Sequence, residues 1–266
     1  METDEKYTIK VILKTMELLK CFSPEQPEWK ATELSKRLHL NRTTVYRILT
    51  TLSSGGFVQL NAKTGCFRLG TTLIGLSMAL YNSMDIRTVA RPVLKGLAKE
   101  TGESIHLTMW YNDEVILLDQ WESLSDIKVS VPLGRRFPAY ATSTGKVFLA
   151  ALPEKELNRY LSEHQLEPLT PRTITNREAL KVALQKVSKE QIAFDFEETA
   201  VDIVTCAAPV YSFDRNVNAA VAVLGPARRM RPQLEAVAAR LKKAGAQISA
   251  LLGYSADPEQ MPQHFD

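Results

Sequence analysis

The sequence predicts an α+β protein in two parts: a small helical domain closed by a hairpin, then a larger domain that mixes hairpins with helices. Three observations carry this. Apolar residues recur at helical spacing in three short segments between Ile9 and Leu52. Two alternating runs follow at once, "FVQLN" and "CFRLG". Beyond residue 100, apolar runs of strand length are separated by turn residues and by amphipathic stretches.

The elements follow in order. From Ile9 to Phe22, Ile9, Ile12, Leu13, Met16 and Leu19 fall on one helical face, and Pro24 and Pro27 end the helix. A short helix is expected from Thr32 as N-cap, with Leu34 and Leu38 on its inner face. After the tight connection "LHLN", Asn41 caps a third helix whose inner face is Val45, Ile48, Leu49 and Leu52. Gly55-Gly56 stops it, and the hairpin turns at "AKTG". Helix, helix, turn, helix, hairpin is the order of a winged helix-turn-helix.

Residues 71–90 read as a stiff connecting helix, with further helix to about Glu100. Strands are expected at "SIHLTMWY" and "EVILLDQW" around the turn Asn112-Asp113, and at "IKVSV". Helices are expected from Gly145 to Leu152, Pro153 to His164 and Asn176 to Lys189. Strands "IAFDF", "TCAAPVYSF" and "NAAVAVLG" precede a last helix from Pro232 to about Leu252. The expected division is 1–70 winged helix, 71–90 connecting helix, 91–254 sensor-like α+β domain on an antiparallel sheet, and 255–266 mobile tail.

Bulk composition narrows the function. The 266 residues are 45 % hydrophobic and 24 % charged, as in ordinary globular chains. No apolar run is long enough to span a membrane, and METDEKYTIK carries acids where a secretory signal is basic, so a cytoplasmic chain is expected. Cys21, Cys66 and Cys206, and His39, His106, His164 and His264, are scattered without metal-ligand spacing. No metal and no cofactor is expected. The net charge is only +3, but residues 29–70 hold seven basic residues against Glu33 alone, a footprint suited to a polyanion.

The outer face of the third helix carries Arg42, Thr43, Tyr46, Arg47 and Thr50, with Thr44 at the flank. Arginine can pair with a guanine edge, threonine can meet a phosphate or a thymine methyl, and tyrosine can reach a phosphate oxygen. Thr32, Lys36 and Arg37 on the bracing helix and Lys63 at the wing tip are placed for phosphates. The expected partner is double-stranded operator DNA.

From "TELSKRLHLNRTTVYRILTTLSSGGFVQLNAKTGCFRLG" the chain resembles the IclR family of bacterial transcription regulators. The resemblance continues through "DIRTVARPVLKGLAKETGESIHL" and "GRRFPAYATSTGKVFLA" to "FDFEETAVDIVTCAAPV" and "AVAVLGPARRM", over about residues 9–252. It implies a winged helix-turn-helix with a C-terminal GAF-like α+β effector-binding domain. It also implies homodimers that can pair into tetramers, and repression more often than activation.

In family members that sense small oxo-acids, a loop before "GK", an aspartate, a cysteine and two serines form the effector cup. By motif, these positions here are Ser143 and Thr144, Asp195, Thr205, and Ala222 and Leu224. With two hydroxyls replaced by aliphatic groups, the expected effector is a carboxylate less polar than glyoxylate, anchored at Ser143-Thr144. Gln191 and Asp202 stand where the family usually has glycine, so the loop from Thr199 to Val204 is expected to differ in shape.

Other readings are weaker. "STGK" fails as a phosphate loop, because Tyr140 and Val147 occupy the positions that need Gly and Ser or Thr. The acids of "FDFEE" lack a partner nucleophile and read as solvated, so no enzyme is expected. Cys206 reads as a buried, inert thiol. Trp110 and Trp121 read as core or interface. The alternative is a small-molecule-binding protein or enzyme that uses the winged helix for protein contacts.

Overall fold

The computed structural model describes residues 9–23, 26–82 and 85–255. Two compact units divide at Met84/Asp85. The first comprises α1 (Lys10–Lys20), β1 (Glu28–Trp29), α2 (Ala31–Arg37), α3 (Arg42–Ser54), β2 (Val58–Leu60), β3 (Phe67–Leu69) and α4 (Thr72–Asn82). Its core joins Leu18 and Phe22 to Leu34, Val45, Ile48, Leu49, Val58 and Phe67. The tight connection between α2 and α3 is held by Ser35, whose hydroxyl donates to the Leu40 carbonyl at 2.7 Å. His39 takes a left-handed φ of 51° there. Asn41 Oδ1 accepts from the Thr43 amide at 2.9 Å, so the expected cap is in place. At the base of the wing, Gly70 lies against the Gly56 backbone, where an added Cβ would sit 2.1 Å from the Gly56 carbonyl oxygen.

Three expectations in this unit need correction. Thr32 does not cap α2: the helix begins at Ala31 after Lys30, because the Glu33 carboxylate reaches back to the Lys30 amide at 2.9 Å. The wing has a third strand, β1, beside β3, fastened by Trp29 Nε1 donating to the Cys21 carbonyl. The face of α1 read as core is largely uncovered: Ile12, Leu13 and Met16 are about half exposed, and the helix buries Leu18 instead.

The second unit runs α5 (Asp85–Thr101), β4 (Ser104–Tyr111), β5 (Glu114–Trp121), β6 (Arg136–Pro138), α6 (Ser143–Ala151), α7 (Glu154–Glu163), α8 (Arg177–Glu190), β7 (Ala193–Phe196), β8 (Ile203–Tyr211), β9 (Val217–Pro226) and α9 (Ala227–Leu251). Six antiparallel strands form one sheet in the order β6-β5-β4-β9-β8-β7. Ala193, Ala207, Ala220 and Ala222 line the face beneath α6, where small side chains let the helix approach closely. On the opposite face Gly245 of α9 lies against the Pro209 carbonyl and Ala208. Asn112 and Asp113 turn the β4–β5 hairpin with φ of 48° and 63°.

"IKVSV" is not a strand. The outer edge of β5 is taken by residues 134–138, with Gly134 N donating to the Leu117 carbonyl and Arg136 pairing with Ile116. Helix α6 starts two residues earlier than expected, which puts Ser143 and Thr144 in its first turn. Helix α9 starts at Ala227 and contains Pro232, since Pro226 ends β9 directly into the helix. Gln191 and Asp202 adopt φ of 55° and 61°, the left-handed conformation that glycine would favour. Pro24 and the tail beyond Ser255 lie outside the described residues.

Candidate functional site

Two groups of side chains stand out, one in each unit. On α3, Arg42, Thr43, Tyr46 and Arg47 are exposed, while Val45, Ile48 and Leu49 hold the helix to the core. Tyr46 is 56 % exposed, and its ring meets the edge of Phe67 at 6.4 Å. Thr44 is half-buried and, with Arg47, borders a shallow cavity against Val11 and Thr15 of α1. Thr50 turns its hydroxyl to the Tyr46 carbonyl. On α2, Thr32 is half-buried, Lys36 is exposed, and Arg37 lies over the Trp29 ring at 5.5 Å. Lys63 is exposed in the wing turn, its amide held by Asn61 Oδ1. The first turn of α3 holds no acid, and its free amides add positive character.

In the second unit, Ser143, Thr144, Asp195, Thr205, Ala222 and Leu224 all line one cavity of about 400 Å³. Thr142 caps α6, its hydroxyl accepting from Gly145 N at 2.9 Å. The amides of Ser143 and Thr144 therefore open the helix, where anions are favoured. The Ser143 and Thr205 hydroxyls are 2.6 Å apart. Asp195, only 2 % exposed, accepts from Glu198 N at 2.6 Å and contacts the Thr199 hydroxyl at 2.6 Å. Burial raises its carboxyl above the usual aspartate range despite these donors. Val129, Val131, Phe137, Leu169 and Ile203 supply apolar wall, and Arg135 and Arg136 border it.

The acids of "FDFEE" are not solvated. Glu198 pairs with buried Lys146, and Glu197 pairs with Arg231 at 2.6 Å and Arg172 at 3.2 Å. The "TGK" residues have structural work of their own. A Cβ on Gly145 would lie 2.1 Å from the Ala139 carbonyl oxygen, and Lys146 Nζ donates to the Phe194 carbonyl. Cys206 is fully buried, its thiol pushed up to about 12. Trp110 packs against Phe148 and Tyr160.

Sequence reasoning missed His106 and Thr108, which also line the cavity. His106 is 6 % exposed and faces Gln120 across the strand pair, and burial lowers it to about 4 although hydrogen bonding to Gln120 opposes the shift. The available signal was the polar series Ser104, His106 and Thr108 at every second position of an otherwise apolar strand. Among the described residues no helix is long and apolar enough to cross a membrane.

Comparison with known proteins fits both units. The IclR helix-turn-helix domain profile matches residues 11–62, and the bacterial transcriptional regulator IclR C-terminal profile matches residues 78–250. The HTH-type transcriptional regulator XynR of Escherichia coli K12 is 32 % identical over 249 residues, covering 93 % of this chain and 99 % of its own. A crystal structure of an IclR-type regulator from Silicibacter sp. TM1040 has a TM-score of 0.85 at 26 % identity, covering 95 % of this chain and 100 % of its own. An IclR homolog from Microbacterium hydrocarbonoxydans, solved with 4-hydroxybenzoate, shares the fold at a TM-score of 0.78 and 23 % identity, covering 92 % of this chain and 100 % of its own. The chain therefore belongs to the IclR family of bacterial transcriptional regulators, with a DNA-binding helix-turn-helix domain and a C-terminal effector-binding domain.

Proposed function

We propose that α3 is the DNA-reading helix of a cytoplasmic repressor, and that an organic acid in the cavity below α6 sets its operator affinity. One observation supports the first part most: Arg42, Thr43, Tyr46 and Arg47 form an acid-free exposed row on a helix whose other face is fixed in the core. Arg42 and Arg47 are suited to base edges or phosphates. Thr44, Thr32, Lys36, Arg37 and Lys63 would add backbone contacts. On this reading the DNA-binding winged helix ends near residue 70, residues 71–90 connect, and residues 91–254 hold the effector.

The test is binding of the full chain to DNA upstream of its own gene, at several salt concentrations. Affinity should fall steeply with salt. Arg42→Ala and Arg47→Ala should each weaken binding about tenfold or more, with unchanged melting temperature because both residues are exposed. Wild-type affinity in both variants would remove α3 from the interface.

The effector reading rests on the walls. Ser143 and Thr144 offer amides and hydroxyls for a carboxylate, whereas Ala222 and Leu224 offer none to a second polar group. A body larger and less polar than glyoxylate fits that lining. The 4-hydroxybenzoate bound to the Microbacterium homolog makes aromatic acids natural first probes.

A homodimer, able to pair into a tetramer, is part of the same reading. Val11, Ile12, Leu13 and Met16 of α1 and Ile74, Leu76 and Met78 of α4 are about half exposed or more, a face suited to a second copy.

A further inference from the structure

Glu103 and Arg229 have no part in the DNA or acid readings, yet they form a two-bond ion pair. Arg229 Nε and Nη2 donate to the two carboxylate oxygens of Glu103, each at 2.7 Å. Glu103 stands between α5 and β4 and is 2 % exposed. Gly225 makes room for its carboxylate, since an added Cβ there would lie 2.4 Å from Oε2. Two parallel bonds fix the plane of the guanidinium, and with it the direction of the third nitrogen. That nitrogen, Nη1, donates to the Ile127 carbonyl at 2.9 Å.

Ile127 belongs to residues 122–135, the connection between β5 and β6, which holds no helix or strand. This connection walls the cavity. Val129 and Val131 line it, while Ile127 and Leu133 are exposed. Both ends are fastened. Buried Ser123 donates its amide to Ser104 Oγ at 3.1 Å and its hydroxyl to the Gly102 carbonyl at 2.6 Å. Gly134 N donates to the Leu117 carbonyl at 2.8 Å, and its φ of 79° suits a hinge. Between the ends, two side chains from other elements hold the middle. Ser104 Oγ donates to the Val129 carbonyl at 3.1 Å, and Arg229 holds Ile127. The Arg229 bond is exposed, so water can replace it at little cost. Firm ends and a loosely held middle are the makings of a segment that opens locally.

We propose that residues 124–133 are a strap that swings aside to admit ligand to the cavity, and that Arg229, fixed by Glu103, is the latch that holds it shut. What the ligand is rests on the reading of this cavity as the effector site; the opening does not.

The test reads opening without a ligand. The full chain carrying Thr205→Cys is labelled with N-ethylmaleimide, with and without Arg229→Lys, and each thiol is followed by mass spectrometry. Thr205 lines the cavity, so its replacement reports access. Lysine keeps a charge beside Glu103 but cannot make two parallel bonds and reach Ile127 as well. The introduced thiol should react about three- to tenfold faster with Arg229→Lys, as expected for one lost exposed hydrogen bond. Cys206, fully buried on the opposite face of β8, should label no faster. In the chain without Thr205→Cys, Arg229→Lys should speed tryptic cleavage after Lys128 by the same factor, because cleavage follows the open population. That arm does not depend on the cavity substitution folding. Equal labelling at residue 205 in both backgrounds, or equal cleavage after Lys128, would overturn the inference. So would a rise at Cys206 that matches the rise at residue 205, since the ion pair would then only support the fold. Failure of every organic acid to bind would overturn the acid reading and leave the strap standing.

Discussion

Asp195 is a buried carboxyl at the cavity whose charge carries a cost in the second unit. Its Oδ1 accepts from Glu198 N, and its Oδ2 meets the Thr199 hydroxyl, which also lies 3.1 Å from the Ala141 carbonyl. One hydroxyl proton cannot serve both oxygens well. A protonated Asp195 resolves this by donating to Thr199, which then donates to Ala141. Burial raises the carboxyl above its ordinary 3.8. Between 3.8 and the raised value the unfolded chain has lost a proton that the fold retains, so stability falls as pH rises through that window. Asp195→Asn copies the protonated form. It should raise the melting temperature at pH 7, by about 2–4 °C for each kcal/mol of penalty removed, and the gain should vanish below pH 3.8. A lower melting temperature at pH 7 would show that the ionised carboxylate is the favoured form. At this scale the sequence was partly legible. Asp195 was singled out by motif and lies at the cavity, whereas the burial of Glu197 and Glu198 depends on Arg172, Arg231 and Lys146, which only the fold brings near.

Among elements, α6 sets the geometry of the cavity. Thr142 caps it, Gly145 allows it to touch the Ala139 backbone, and Lys146 ties it to β7 through the Phe194 carbonyl. Gly145→Ala should therefore cost about 1–3 kcal/mol, read by denaturant unfolding, and should weaken acid binding by displacing the Ser143 and Thr144 amides. Unchanged stability would mean that α6 is free to shift. The periodic helices and the Asn112-Asp113 hairpin were readable because their signals are local. "IKVSV" was misread because alternation alone does not say which segment takes the edge of β5, and residues 134–138 hold it. β1 was missed because Glu28-Trp29 is too short to carry a pattern. The start of α9 was misplaced because Pro232 resembles a first-turn proline, while the helix already runs from Ala227.

At the scale of the whole molecule, α1 presents an apolar face that the described residues leave about half exposed. Its spacing was read correctly as helical, but Ile12, Leu13 and Met16 are about half exposed among the described residues. Leu13→Glu should shift sedimentation toward the monomer and weaken operator binding, since paired half-sites require paired recognition helices. A dimer of unchanged affinity would place the interface elsewhere. On the proposed function one molecule couples acid binding to DNA binding, and linkage makes the coupling measurable from either side. The direct measurement is the affinity of the full chain for its upstream DNA, titrated with an acid that raises its melting temperature. The expected change is about 5- to 150-fold, matched by an equal change in acid affinity when the DNA is present. Tight binding of both, each indifferent to the other, would contradict it.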